Sequence, residues 1–421
     1  METISPAGIH ADHMPLAAIS QAAVPRGSQR ETAVPPTRSI LVYSPQFNTI
    51  GGVETHLVRL SCFLAQRGWE VTLVTTSGML EEDRVAQLSA AGVRFIAPRG
   101  TKPLPIPWKT AWLASTIATR LRRKHWDVIY TNAQGGMSWL LRPLRRRGTR
   151  LVHHYHTAGD ERDEATWTWA FVKWLHTVDE IVACSTSTAQ NLRRVLGNTP
   201  MDHIGSDKIR VIRYLSEEIV PAPHQTRAAG EQLRFGFVGR MVKGKGLDLI
   251  CRLSRDPELA HIAWDLHGCG VDYDASYFKP FPNVRFHGRY HGGADLSGIL
   301  SRLDALVLFS TYQEGQPISL IEGMAAGLPW IATDQGGTRE LMWSPDNCRL
   351  IDRAGNLEEA KRAVLDLAQA IRDGKTSLTT QRLAYQDNLS PTTVGTRWMD
   401  FLAEMPVPNL EGAWLGRAVT R

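Results

Sequence analysis

Residues 305–337 read ALVLFSTYQEGQPISLIEGMAAGLPWIATDQGG. The run 305–309 is short and apolar, as a strand buried on both faces must be, and it leads into a loop marked by Gly315 and Pro317. A helix is predicted from about Ser319. Gly327 and Pro329 end it, and a second apolar run over 330–333 gives another strand, closed by Gln335-Gly336-Gly337. A strand, a crossover helix and a strand joined this way form a parallel pair. Ligands of such sheets bind in the loops past the carboxyl ends of the strands, where Glu314 lies.

The same alternation extends upstream. Further strands are predicted over 234–238, 263–267 and 284–287, and an earlier series over 40–43, 70–75, 93–96, 127–130, 150–154, 180–184 and 209–212. A helix is expected over 53–67, stopped by Gly68. Between the two series, residues 216–232 (SEEIVPAPHQTRAAGEQ) are poor in large apolar groups and hold two prolines, as a linker does. Residues 1–38 are rich in Ala, Pro, Ser and Thr and cannot bury enough surface to offset their ordering entropy, so a disordered tail is expected. The predicted fold is α/β: two doubly wound halves, over 39–215 and 233–390, facing across a cleft.

The composition agrees. With 421 residues, 43% hydrophobic and 21% charged, the chain can build two cores, and disordered, collagenous or disulfide-scaffold classes are excluded. Five scattered cysteines without a C-x-x-C pair fit thiols in a reducing compartment, and no run of apolar residues suits a spanning helix or a signal peptide; the expectation is a cytoplasmic protein. The net charge of +6 is unevenly spread. Residues 1–214 hold 26 Lys+Arg against 17 Asp+Glu (+9), and the remainder 22 against 25 (−3). Residues 101–150 supply eleven of the cations and one acid, Asp127, with clusters at Arg120, Arg122, Arg123 and Lys124 and at Arg142, Arg145, Arg146, Arg147 and Arg150. A solvated face, an anionic membrane, a phosphate-bearing acceptor or nucleic acid would all suit such a patch.

Three segments carry chemistry. Glu314 and Glu322 are carboxylates seven residues apart, one on the loop and one in the first turns of the helix, and each can accept from two adjacent hydroxyls. The amides at 318–321 would form an anion site. Gly239-Arg240-Met-Val-Lys-Gly-Lys245-Gly246 follows a strand and precedes a helix, so Arg240 and Lys245 can neutralise a diphosphate, although neither a P-loop nor a G-x-G-x-x-G order is present. Gly51-Gly52-Val53-Glu54 opens the first helix, and its glycines allow close backbone approach and unusual dihedrals. Each segment alone also reads as a turn or a surface acid.

Taken together, in order and at fitting spacing over roughly 39–360, these motifs resemble the retaining nucleotide-sugar glycosyltransferases of family 4. The resemblance implies the GT-B fold, two Rossmann-like domains with a cleft between them, a donor held mainly by the C-terminal half, and no metal cofactor. It assigns Arg240 and Lys245 to the donor diphosphate, Glu314 to the sugar hydroxyls, Glu322 to the ribose, and the backbone of Gly315, Gln316, Pro317 and Ile318 to sugar and phosphates. Gly51, Gly52 and Gly239 would lie near the phosphates, and Arg289 with Tyr290 near the base. The family's histidine near the reacting sugar is matched by His156, with His154 second. A C-terminal helix over 391–421 would cross back onto the N-terminal half, with Trp398, Phe401 and Leu402 as its packing face. Two departures are Gly323, where alanine is usual, expected to loosen its helix, and Gln316-Pro317 in place of a bulky aromatic and glycine.

The implied activity is retaining transfer of a hexose from a UDP- or GDP-linked sugar to an acceptor hydroxyl. A lipid-linked or polysaccharide precursor at the cytoplasmic membrane face suits the basic patch, and a small soluble acceptor is the alternative. A glycosidase would also use two carboxylates, but these adjoin an expected phosphate site. Asp272-Tyr-Asp274 is a literal D-x-D without a third ligand in view. A basic nucleic-acid or membrane binder without catalysis is the reading from another class; no nucleic-acid module is visible, and Trp108, Trp112 and Trp126 read as core or interface residues.

Overall fold

The structure is a computed structural model that describes residues 38–404 except 46, 48–50, 77–81, 100–103, 133–136, 157–168, 198–207, 221–222, 226, 229 and 353–354. Residues 1–37 of the expected tail and 405–421 of the expected C-terminal helix lie outside the described residues.

Seven parallel strands form the N-terminal sheet: β1 (Ser39–Ser44), β2 (Glu70–Thr75), β3 (Arg94–Ile96), β4 (Val128–Asn132), β5 (Arg150–Tyr155), β6 (Glu180–Ala183) and β7 (Ile209–Val211). Their order is β3-β2-β1-β4-β5-β6-β7. The C-terminal sheet has β8 (Leu233–Val238), β9 (Ile262–His267), β10 (Val284–Gly288), β11 (Ala305–Leu308), β12 (Trp330–Thr333) and β13 (Cys348–Ile351), in the order β10-β9-β8-β11-β12-β13. All of these pairings are parallel, and each sheet reverses direction beside its first strand, between β1 and β4 and between β8 and β11. A crevice opens at such a reversal because the flanking helices leave to opposite faces.

The apolar runs become strands because both faces are covered; every residue of β1, β5, β9 and β12 is buried. Ends differ from the sequence expectation by one or two residues. Strand β13 had no sequence signal: CRLI mixes a cation into a short run, and two of its four residues are only half-buried at the sheet edge.

Helix Pro391–Ala403 belongs to the N-terminal half's core. Ser390 caps it by accepting from Thr393 N at 3.2 Å, and Pro391 occupies a first-turn position that needs no amide donor. Val394, Trp398, Phe401 and Leu402 pack with Ile40, Leu57, Phe63 and Tyr130. A Cβ at Gly395 would stand 2.1 Å from the Phe63 ring, so the two helices approach as closely as they do only because that position is glycine. Trp398 Nε1 donates to Arg213 O at 2.9 Å, which ties the last helix to the chain segment that leaves the N-terminal sheet.

Candidate active site

Residues from both halves line one cavity of about 430 Å³. From the sequence expectation it contains Gly51, Gly52, Gly239, Arg240, Lys245, Glu314, Gln316, Pro317, Ile318 and Glu322. Three expected residues are not among its lining: Gly315, His156 and Arg289.

The turn after β8 is set by backbone conformation. Gly246 has φ +76°, and a Cβ there would stand 2.1 Å from Phe309 O, so this turn against the end of β11 requires glycine. It carries Lys245 toward the loop after β11, where its Nζ lies 2.6 Å from Glu314 Oε1. Both side chains are largely shielded, at 20% and 10% exposure, which strengthens the pair over a surface salt bridge. Arg240, by contrast, is exposed at the rim.

Helix Ile318–Ala326 begins one residue before the expected start, with Pro317 at its N-cap. Pro317 O accepts from Leu320 N and Ile321 N, so the expected anion site over 318–321 narrows to Ile318 and Ser319, both in the cavity lining. Glu322 is buried one turn on. Its carboxyl is pushed up to about 8, first by burial and then by Glu217, against the pull of Arg59 and Arg84. Gly323 has a packing reason rather than a loosening effect: a Cβ there would stand 2.2 Å from Leu306 Cδ1 of β11, so the small residue seats the helix on its sheet.

The Gly51-Gly52 loop needs space, not unusual dihedrals. Gly51 is extended at φ −177°, which any residue adopts, but a Cβ would meet Glu54 Oε2 at 2.1 Å. At Gly52 a Cβ would meet Ile318 Cδ1 at 3.3 Å, which places the first helix of one half against helix Ile318–Ala326 of the other.

His156 is not part of the cavity lining. Its Nδ1 lies 2.8 Å from Tyr214 Oη, and its backbone oxygen backs the Glu314 loop: a Cβ on Gly315 would stand 2.0 Å from it. His154 is fully buried with its ring 4.1 Å from that of His156 and 5.0 Å from that of His56. Burial holds all three below the ordinary imidazole range, His56 at about 3. Neutral His56 Nδ1 accepts from Leu215 N at 2.9 Å, and Tyr214 N donates to Gln316 Oε1 at 2.8 Å, so the histidine cluster fixes the segment that grips the Glu314–Pro317 loop. Among the described residues Gln316 Nε2 is buried without a partner.

Arg289 is exposed, whereas its neighbour Tyr290 lines the cavity beside Glu322. Sequence reasoning missed Glu217, Arg59 and Arg84. Glu217 accepts from Gly293 N at 2.6 Å and pairs with Arg59, joining the linker to both walls. Only the linker's lone pair of acids, Glu217-Glu218, hinted at it. The D-x-D acids serve the backbone: Asp272 accepts from Lys243 N at 3.0 Å, and Asp274 caps the turn at Ser276 and Tyr277.

Residues 50–213 match the family described as Glycosyltransferase Family 4, and residues 232–370 match Glycosyl transferases group 1. A GDP-mannose-dependent alpha-mannosyltransferase of Mycobacterium tuberculosis is 25% identical over 332 residues, covering 75% of this chain and 83% of that one. Among solved structures, a glycosyltransferase from Rickettsia africae is similar with TM-score 0.67 at 17% identity, over 87% of this chain and 98% of that one. The HepE protein of Anabaena, solved with UDP and glucose, is similar with TM-score 0.65 at 17% identity, over 87% and 99%. A sucrose-phosphate synthase from Thermosynechococcus elongatus has TM-score 0.68 at 18% identity, over 86% and 98%. These structural likenesses establish the GT-B fold.

Proposed function

The chain belongs to the GT-B glycosyltransferases that join a Glycosyltransferase Family 4 segment to a Glycosyl transferases group 1 segment, and from that premise we propose retaining, metal-independent transfer of a hexose from UDP- or GDP-sugar to an acceptor hydroxyl. That it is a glycosyltransferase using a nucleotide sugar follows from the family; the anomeric outcome, the metal independence and the acceptor are the proposal.

The observation that carries it is the convergence of Lys245, Glu314, Arg240, Glu322 and the first turn of Ile318–Ala326 in one cavity. A diphosphate needs cations and helix-start amides to carry the charge that grows as it leaves. Lys245 and Arg240 supply the first, and Ile318 and Ser319 the second. Lys245 is held in place by Glu314, whose second oxygen is left to accept from a sugar hydroxyl. Glu322 accepts from the ribose diol. The unpartnered Gln316 Nε2 is a donor for the same sugar.

With His156 facing Tyr214, the described cavity offers no side chain set for covalent attack, and we read the step as front-face. The bond from the anomeric carbon to the diphosphate oxygen breaks, the acceptor oxygen bonds to the same face, and its proton passes to the departing diphosphate oxygen. The acceptor is proposed to be a lipid-linked or polysaccharide precursor presented at a membrane.

The test is a thermal-shift panel of UDP, GDP, ADP and their sugars, followed by NMR of the product's anomeric proton. One nucleotide should raise the melting temperature, Glu322→Ala should remove the rise, and the product should keep the donor's configuration. Inversion would end the retaining assignment, and a panel without any shift would end the donor-site assignment.

A further inference from the structure

Folding divides the two basic clusters at 120–124 and 142–150 into paired and unpaired sets. Lys124 pairs with Glu70, Arg145 with Asp179 and Arg150 with Glu180. Arg120, Arg122, Arg123, Arg142, Arg146 and Arg147 stay exposed, and among the described residues none of them pairs with a carboxylate. Arg146 donates to Arg122 O, so the two clusters form one surface.

Two helical segments lead to that surface. Helix Ile106–Thr116 continues through the wider turn Ile117–Leu121 and connects β3 to β4; the 3₁₀ helix Met137–Leu144 connects β4 to β5. Crossover segments run against the strands they join, so both start at the carboxyl ends, where the cleft lies, and finish at the opposite edge. Their starts adjoin, with Thr110 Oγ1 3.0 Å from Met137 Sδ.

The starts are apolar and exposed: Ile106 is 76% exposed, Trp108 67% and Trp139 49%. Trp126 is buried as expected, but Trp108 is not a core residue. The finishes hold the arginines. Trp108 and Arg122 lie at opposite ends of the first of these segments, about 20 Å apart along its axis. Arg142 lies one 3₁₀ turn beyond Trp139 and eclipses it.

Tryptophan and isoleucine beside a field of unpaired guanidinium groups fit the boundary between lipid chains and anionic headgroups. A single-stranded nucleic acid would call for aromatic and basic groups interleaved along a groove; here they are segregated. We propose that this face docks on an anionic lipid bilayer, with Trp108, Trp139 and Ile106 in the headgroup layer and the six arginines on lipid phosphates. Docking sets the cleft mouth at the membrane, and for that purpose it rests on the transferase reading above.

The full chain is sedimented with phosphatidylcholine vesicles with and without phosphatidylglycerol, and with heparin as a soluble polyanion. Wild type should bind the anionic vesicles, less so as salt rises. Trp108→Ser/Trp139→Ser and Arg122→Ser/Arg146→Ser should each weaken vesicle binding roughly tenfold. Brominated lipid should quench wild-type tryptophan fluorescence and spare the double tryptophan variant. Variants that bind vesicles as wild type does, or a wild type that binds heparin and ignores vesicles, overturn the proposal. The nucleotide-induced thermal shift is read in the same samples: if it is missing while the vesicle results hold, the transferase reading fails and the docking face stands.

Discussion

Past the carboxyl ends of its strands each sheet carries ionisable side chains, and the two sets differ in what burial has done to them. In the N-terminal half His56, His154 and His156 are shut in among Tyr130, Tyr214 and Trp398, His153 is buried against Phe171, and all four lose their charge. In the C-terminal half Lys245 and Glu314 pair at the edge of a cavity, and Glu322, buried deeper, is driven toward its neutral form. Low dielectric penalises charge of either sign. The same physics thus makes one wall a neutral packing cluster and leaves the other able to meet a diphosphate.

The largest expected effect breaks the packing wall. Trp398→Ala removes a fully buried ring lying 5.3 Å from both His56 and His154, and should cost about 3–5 kcal/mol of stability in chemical denaturation. An intact midpoint would show that the last helix contributes little to that wall. Lys245→Ala strikes the other wall: turnover should fall roughly a hundredfold or more while the fold persists, because the change removes charge stabilisation of the leaving group. Equal activity in the two proteins would remove Lys245 from the chemistry.

Smaller effects sharpen the contrast through pH. Glu322 titrates near 8 in the fold against about 4.3 in the unfolded chain, so the folded state holds the extra proton and stability falls as pH rises between those values. Glu322→Gln should therefore gain stability on the order of 2 kcal/mol at pH 8 to 9 and nothing at pH 4. The histidines act with the opposite sign. Their folded values lie below the unfolded value of about 6.5, so the stability they contribute is present above that pH and is lost as pH falls toward about 3 for His56. The acid limb of a melting-temperature profile should be shallower in His56→Gln, and an unchanged limb would mean that His56 protonates freely in the fold. Last, chelation with EDTA should leave turnover unchanged, since Asp272 and Asp274 are engaged with backbone amides; loss of activity that magnesium restores would contradict the metal-independent mechanism.

Legibility followed the range of the interaction. Gly246, Glu314 and Glu322 announce themselves because a turn, a loop and a helix start are fixed by neighbours in the chain. Arg59, Arg84 and Glu217 did not, since a charged residue on a helix face or in a linker looks alike whether it meets water or a partner from the other half. Arg289 and Tyr290 were both at the right strand end, but which one turns inward is decided by packing.

By itself the sequence determined the two parallel α/β series and the glycine and carboxylate motifs that name the family, because strand period, helix spacing and turn residues are local properties. The tertiary structure decided which charges survive. It neutralised the buried histidines of the N-terminal half, paired Lys124, Arg145 and Arg150 of the two basic clusters and left the six other arginines of those clusters on the face that carries exposed Trp108 and Trp139. Desolvation and ion pairing depend on groups that meet only after folding, so no pattern along the chain could have set them apart.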